Sequence, residues 1–88
     1  MWTKIKGIAD INKIKLNSRV LRFTGKGTPL DPPIIDPAYT LCTLTKMTGG
    51  NLELKSTNPL FSSSFSQVDS NLLHKTPIQL IEEGIWWF

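Results

Sequence analysis

The sequence contains a single cysteine, Cys42, and a single histidine, His74. One cysteine excludes a disulfide within the chain, and one Cys with one His cannot form a zinc site from a single copy. A chain of 88 residues buries only a modest core, and such domains are often stabilised by disulfides, metal or association. Because association is the remaining route, we expect one domain, residues 1–88, that forms a homodimer.

Long apolar runs are also absent. No stretch approaches the roughly 20 apolar residues that span a membrane. The first four residues, Met-Trp-Thr-Lys, lead into no apolar segment of the kind found in secretory signals. We therefore expect a cytoplasmic protein whose contact with membranes is peripheral.

Little in the sequence is suited to catalysis. His74 has no identifiable catalytic partner, and Glu82 and Glu83 are adjacent, so neither a helix nor a strand places them side by side as an acid–base pair. Residues 25–28 (GKGT) resemble a phosphate loop superficially, but the earlier glycine is missing and a proline follows where a helix should begin. We expect neither enzymatic activity nor a metal site.

Positive charge is concentrated near the start of the chain. Residues 1–26 hold seven Lys or Arg against Asp10 alone, whereas the rest holds three Lys against six acidic residues. Such a segment is typical of a solvated strand face, or of a surface that binds nucleic acid or anionic lipid. The alternative function is therefore a small basic β-barrel that binds nucleic acid through Lys4, Lys6, Lys13, Lys15, Arg19 and Arg22, with Trp2 and Phe23. Surfaces that stack bases usually present several aromatics, so we expect no nucleic-acid partner.

Residues 38–57 (AYTLCTLTKMTGGNLELKST) predict a β-hairpin. Apolar and polar residues alternate on both sides of Gly49-Gly50, which tolerates the positive φ of a two-residue turn. That turn predicts a register with three cross-strand pairs: Met47 opposite Leu52, Lys46 opposite Glu53, and Thr45 opposite Leu54.

Alternation before the hairpin predicts short strands at residues 2–8, 11–16 and 19–24. In the last of these, Leu21 and Phe23 lie on one face and Val20 on the other, and Asn17-Ser18 before it is a turn signal. Residues 25–37 contain four prolines and predict an extended connector, whose Lys-x-x-Pro-x-x-Pro spacing also fits a weak SH3-type ligand.

The last third of the chain is ambiguous. Thr76-Pro77-Ile78-Gln79 fits a capping box that begins a helix ending near Gly84, but the alternation around Ile78 fits a strand equally well. Residues 60–83 are thus helix or strand. The aromatic end, residues 85–88 (IWWF), predicts a core or dimer contact, or an anchor in a membrane interface.

Several short motifs occur in a characteristic order across residues 34–81. They are Asp36-Pro37, Leu41, Thr45-Lys46-Met47, the Leu52/Leu54 alternation, Pro59-Leu60-x-Ser62 and Thr76-Pro77-Ile78. This order resembles the accessory protein that betacoronaviruses encode in an alternative frame within the nucleocapsid gene. Compared with the SARS-related members, the interval before Met47 is one residue longer and that from Pro59 to Thr76 is several residues shorter.

The resemblance implies an all-β, intertwined homodimer with a central apolar cavity that holds a lipid or fatty-acid tail. The cavity residues would be Leu41, Met47, Leu52, Leu54, Leu60 and Ile78. It further implies a protein on intracellular membranes such as mitochondria, or in the virion, that antagonises interferon signalling. A host protein such as the mitochondrial outer-membrane import receptor would bind Pro59, Leu60, Ser62, Thr76, Pro77 and Ile78, within a segment that refolds into a helix. Independently of the resemblance, a third alternative function is a structural subunit of a capsid or a similar assembly.

Overall fold

The computed structural model describes residues 1–56 and 72–88. Within them lie two short helices and five strands: α1 (Ile8–Ile11), β1 (Arg19–Phe23), β2 (Tyr39–Thr48), β3 (Asn51–Ser56), β4 (Leu72–Lys75), α2 (Pro77–Glu83) and β5 (Trp86–Trp87). The strands form one antiparallel sheet in the order β4-β3-β2-β1-β5. The expected β-rich fold is confirmed as a mostly β protein with a five-stranded sheet.

The hairpin of β2 and β3 turns at Gly49-Gly50 as predicted. Both glycines have positive φ, +57° and +79°, which a two-residue turn of this kind requires. Met47 lies opposite Leu52 and Lys46 lies opposite Glu53, so the predicted register next to the turn is confirmed.

One residue further from the turn the register shifts at a β-bulge. Leu44, and not Thr45, lies opposite Leu54, so that predicted pair is wrong. Thr45 is the extra residue, and its hydroxyl contacts both the backbone oxygen and the carboxylate of Glu53, at 3.1 and 2.9 Å. A bulge reverses which residues of the strand face a given side of the sheet beyond it. Cys42 and Leu44, on the side of the bulge away from the turn, therefore share the face of Leu54.

That face, which we call the helix-covered face, carries the main core. The sheet contributes Val20, Cys42, Leu44, Leu52, Leu54 and Trp86, and the segments that pack on it contribute Ile5, Ile11, Ile14 and Leu80. Val20, Leu44 and Leu54 are fully buried. Removal of this apolar surface from water stabilises the packing of the covering segments on the sheet.

The opposite face, the connector-covered face, holds a smaller cluster of Trp2, Leu21, Phe23 and Tyr39. Leu21 and Phe23 therefore lie on the other face from Val20, as predicted. The proline-rich connector packs here: Tyr39 accepts a hydrogen bond from the Leu30 N–H at 2.8 Å, and the Trp2 indole donates to the Leu30 carbonyl at 2.9 Å.

The N-terminal segment differs from its prediction. Residues 3–5 do run alongside residues 86–88, with backbone bonds of 2.8–2.9 Å, but Ile8–Ile11 is a helical turn and residues 11–16 form no strand. The Asp10 carboxylate accepts the Lys6 N–H at 2.9 Å and favours this local turn. Ile11 and Ile14, three residues apart, both reach the core.

The ambiguous segment contains both structures. Leu72–Lys75 is strand β4, and α2 begins with the predicted capping box. The Thr76 hydroxyl accepts the Gln79 N–H at 3.2 Å, and the Gln79 side chain accepts the Thr76 N–H at 2.8 Å. Gly84 ends the helix with φ +68°. The interpretation of residues 60–71 lies outside the described part of the chain.

Candidate functional site

A groove of about 510 Å³ opens on the helix-covered face, beside the C-terminal end of α2. It is lined by Arg22, Thr40, Ser56, Leu73, Lys75, Glu83, Ile85 and Trp86. The volume lies within the range of pockets that hold small ligands, roughly 300–1,000 Å³. Half-buried Leu73 and Ile85 form apolar walls, and the buried Trp86 forms the floor.

The sheet register places three of these residues in one row. Arg22 on β1 lies directly opposite Thr40 on β2, and on its other side directly opposite Trp86 on β5. Directly opposed residues of an antiparallel sheet share a face, with Cβ atoms about 4.5–5.5 Å apart. A cation, a hydroxyl and an indole therefore stand side by side at the groove.

Glu83 is held in the groove by two hydrogen bonds. Lys75 Nζ donates to Oε2 and Trp86 Nε1 donates to Oε1, each at 2.7 Å. The bond from Lys75 is the main cause that lowers the pKa of Glu83 below its ordinary 4.5, while partial burial opposes the shift. At neutral pH the carboxylate is ionised and its charge is matched by Lys75.

Arg22 is left without such a partner. Its side chain is exposed and makes no hydrogen bond or ion pair within residues 1–56 and 72–88. Its charge acts on two neighbouring groups. It helps Lys75 to lower the pKa of Glu83, and it opposes the burial that raises the pKa of the Cys42 thiol to about 11. The groove thus has apolar walls, and its two cations, Arg22 and Lys75, outnumber its one carboxylate, Glu83.

The two aromatic side chains named for the nucleic-acid alternative are buried within the connector-covered face. Trp2 and Phe23 are 5% and 7% exposed, so neither presents a face to a base. Arg19 lies 4.0 Å from the Trp2 ring centroid and donates to both oxygens of Asp31 at 3.0 Å. A second cation–π contact places Lys4 Nζ 5.8 Å from the centroid of the Trp87 ring.

The predicted cavity residues lie in different parts of the molecule. Leu52 and Leu54 are fully buried together in the main core, whereas Leu41 packs on the connector-covered face. Met47 and Ile78 are 40% and 54% exposed. Leu60 lies outside the described residues.

Of the six residues predicted to bind a host protein, the structure describes three. Thr76, Pro77 and Ile78 form the N-terminus of α2, with Ile78 pointing to solvent. Pro59 and Ser62, like Leu60, fall in the part of the chain that the structure does not describe.

His74 lies at an exposed position on β4, and it has a partner that the sequence did not indicate. Its Nε2 lies 3.2 Å from Oε1 of Glu53, whose other oxygen accepts the Thr45 hydroxyl. The hydrogen bond from Thr45, followed by that from His74, lowers the pKa of Glu53. These three side chains form a polar cluster on the surface beside the bulge.

Comparison with protein families, with curated protein sequences and with solved structures finds no match to this chain. Neither helix in the described ranges is long and apolar enough to cross a membrane. Residues 1–56 and 72–88 also contain no group of three or more His, Cys, Asp or Glu that would hold a metal ion.

Sequence reasoning did not find the groove. Its lining comes from five strands and the end of α2, so no local spacing brings these residues together. The one available signal was the alternation of β1, which places Arg22 on the face of Val20.

Proposed function

We propose that this chain is a non-catalytic binding protein that holds the apolar part of an amphipathic, lipid-like ligand. The observation that carries the proposal is the groove beside α2, with Leu73 and Ile85 as walls over Trp86. A concave, mostly apolar site with a few polar groups is the usual form of a small-ligand site. The ligand would lie against a single chain.

The proposal includes a homodimer. It is supported by large apolar side chains that remain exposed on one chain, among them Ile34, Ile35, Met47, Leu72 and Ile78. Scattered exposed apolar residues are normal, but this number on an 88-residue protein favours a self-association surface. Sedimentation at micromolar concentration is expected to give twice the 9.9 kDa mass of one chain, and a monomer would contradict this part of the proposal.

The resemblance extends the proposal to a viral accessory protein that associates with intracellular membranes, binds a host protein and antagonises interferon signalling. Its support is the order of the motifs, together with the position of Thr76-Pro77-Ile78 at an accessible helix start. A reporter assay of interferon induction tests the signalling role, and an unchanged response would contradict it.

The test of ligand binding uses two adjacent leucines of β4. Leu73 is half-buried and lines the groove, whereas Leu72 is 42% exposed and does not. Native mass spectrometry of the purified protein should detect a bound lipid that is lost in Leu73→Gln and kept in Leu72→Gln. Circular dichroism should show that both variants fold.

The design separates groove binding from general adhesion of lipid to exposed apolar surface. Equal retention by the two variants would contradict the groove as the binding site. Absence of any bound amphiphile in the unmodified protein, even after incubation with decanoate or decanol, would contradict the proposed function itself.

A further inference from the structure

We propose that the groove selects amphiphiles with a negatively charged head, of which a long-chain carboxylate is the simplest, and that Arg22 is the selecting residue. This inference rests on the proposed function, because it names the ligand class of the same groove. It assigns the apolar chain to the walls formed by Leu73 and Ile85, and the carboxylate to the row of Arg22 and Thr40.

The charges that line the groove favour a negatively charged head. Two cations, Arg22 and Lys75, face one carboxylate, Glu83. Lys75 and Glu83 neutralise each other at 2.7 Å, so Arg22 is the cation that remains. An anionic head would complete the charge balance, whereas a cationic head would meet repulsion and a neutral head would leave Arg22 unmatched.

The side chains of Arg22 and Thr40 suit the two oxygens of a carboxylate. The guanidinium of Arg22 has five N–H donors in a planar fork, which matches the two oxygens of a carboxylate. None of these donors is engaged within the described ranges of the chain. Thr40, directly opposite Arg22, adds a hydroxyl on the same face. A carboxylate between them would accept from both side chains.

The apolar surroundings of Arg22 would strengthen its attraction for the carboxylate of a bound ligand. Trp86 is directly opposite Arg22 on the other side and is fully buried. Its indole N–H is already bonded to Glu83, so it leaves no unsatisfied donor beneath the groove. An apolar chain lying over this floor would exclude water from the guanidinium and strengthen its attraction for the carboxylate.

The experiment compares two ligands with the same chain, decanoate and 1-decanol, by isothermal titration calorimetry on the full chain. We expect decanoate to bind at least about tenfold more tightly than decanol, since a hydrogen-bonded charge pair usually contributes that much or more. Arg22→Gln should remove this preference. Arg19→Gln is the matched control, because Arg19 lies on the same strand but is bonded to Asp31.

The indole N–H signals in a ¹⁵N correlation spectrum locate the ligand. Decanoate should shift the Trp86 signal more than those of Trp2 and Trp87, because only Trp86 lines the groove. A largest shift at Trp2 or Trp87 would overturn the assignment to this groove.

The outcomes for the ligand pair are distinct. Equal affinity for decanoate and decanol, or a preference that survives Arg22→Gln, would overturn the role of Arg22 while leaving the groove as an apolar site. Failure of both ligands to bind would instead overturn the proposed function. Loss of the preference in Arg19→Gln as well as Arg22→Gln would show a diffuse charge effect and would also overturn the inference.

Discussion

The indole N–H of Trp86 donates a 2.7 Å hydrogen bond to Oε1 of Glu83, three residues earlier in the chain. The other oxygen of Glu83 accepts from Lys75 on β4. One carboxylate therefore ties β4, the end of α2 and β5 together across the turn that contains Gly84. The arrangement positions Trp86 as the floor of the groove.

This carboxylate makes folding stability depend on pH. The hydrogen bond from Lys75, with a smaller contribution from Trp86, holds the pKa of Glu83 below 4.5 in the folded protein. The stabilisation is therefore present above the ordinary pKa and is lost as the pH falls through the lowered one. We expect Glu83→Gln to cost less than about 1 kcal/mol at neutral pH, because the pair is partly exposed.

Urea unfolding from about pH 7 to about pH 3 checks this expectation. The difference in free energy of unfolding between the unmodified protein and Glu83→Gln should shrink toward acid pH. Glu82→Gln is the control, since Glu82 is exposed and makes no hydrogen bond within the described residues. A difference that stays constant with pH would contradict the role of the ionised pair.

The thiol of Cys42 should be unreactive in the folded protein. It is fully buried in the main core, and burial raises its pKa to about 11. The thiolate is the reactive form, so a disulfide reagent at about pH 8 should react slowly before unfolding and with one thiol per chain in denaturant. Rapid reaction without denaturant would show that the sheet opens at this position.

The turn at Gly49-Gly50 should depend on glycine for its backbone and not for space. A Cβ at Gly50 meets no atom within 4 Å, and the same is true at Gly7, but only Gly50 has positive φ, at +79°. Gly50→Ser should therefore cost about 1 kcal/mol or more, whereas Gly7→Ser should be neutral or slightly stabilising because serine is a good N-cap. Equal melting temperatures of the two variants would contradict the turn geometry.

The capping box of α2 gives a further prediction. Thr76→Ala removes the hydroxyl that accepts the Gln79 N–H and should cost about 1 kcal/mol. Thr76→Ser keeps the acceptor and should restore most of the loss in chemical denaturation. If serine and alanine are equally destabilising, the threonine contributes through its methyl group and not through the cap.

Features set by local chemistry were predictable from the sequence. The turn needs two residues with positive φ, and the sequence offers Gly49-Gly50; the helix needs a cap, and Thr76 with Gln79 supplies it. In both cases the determining contacts lie within four residues. The alternation of Leu21 and Phe23 against Val20 is similarly local and placed β1 correctly.

Features set by packing between distant segments were not predictable. The apolar positions of β2 change parity between Leu44 and Met47, but Leu41 fits the unbroken alternation with Met47, so the strand alone does not decide between the two registers. The Thr45 hydroxyl donates to the Glu53 carboxylate on β3, and Leu44 is the residue that lies opposite Leu54. The groove has the same origin, because Arg22 and Trp86 become neighbours only when β5 pairs with β1.

The bulge decides which side chain of β2 reaches the core, and this can be tested with two truncations. Leu44 is fully buried opposite Leu54, so Leu44→Ala should cost about 2–5 kcal/mol. Met47 lies opposite Leu52 but is 40% exposed at the end of the hairpin. Met47→Ala should therefore cost less than about 1 kcal/mol, since little of its contact is lost.

Free energies of unfolding in urea compare the two variants, and Leu44→Val provides a milder change if Leu44→Ala does not fold. A hairpin without the bulge would pair Thr45 with Leu54 and turn Leu44 to the opposite face. Truncation of Leu44 would then cost no more than truncation of Met47. A ratio near one between the two losses would thus contradict the bulge, and a large excess for Leu44 would support the register in which Cys42, Leu44 and Leu54 share the core.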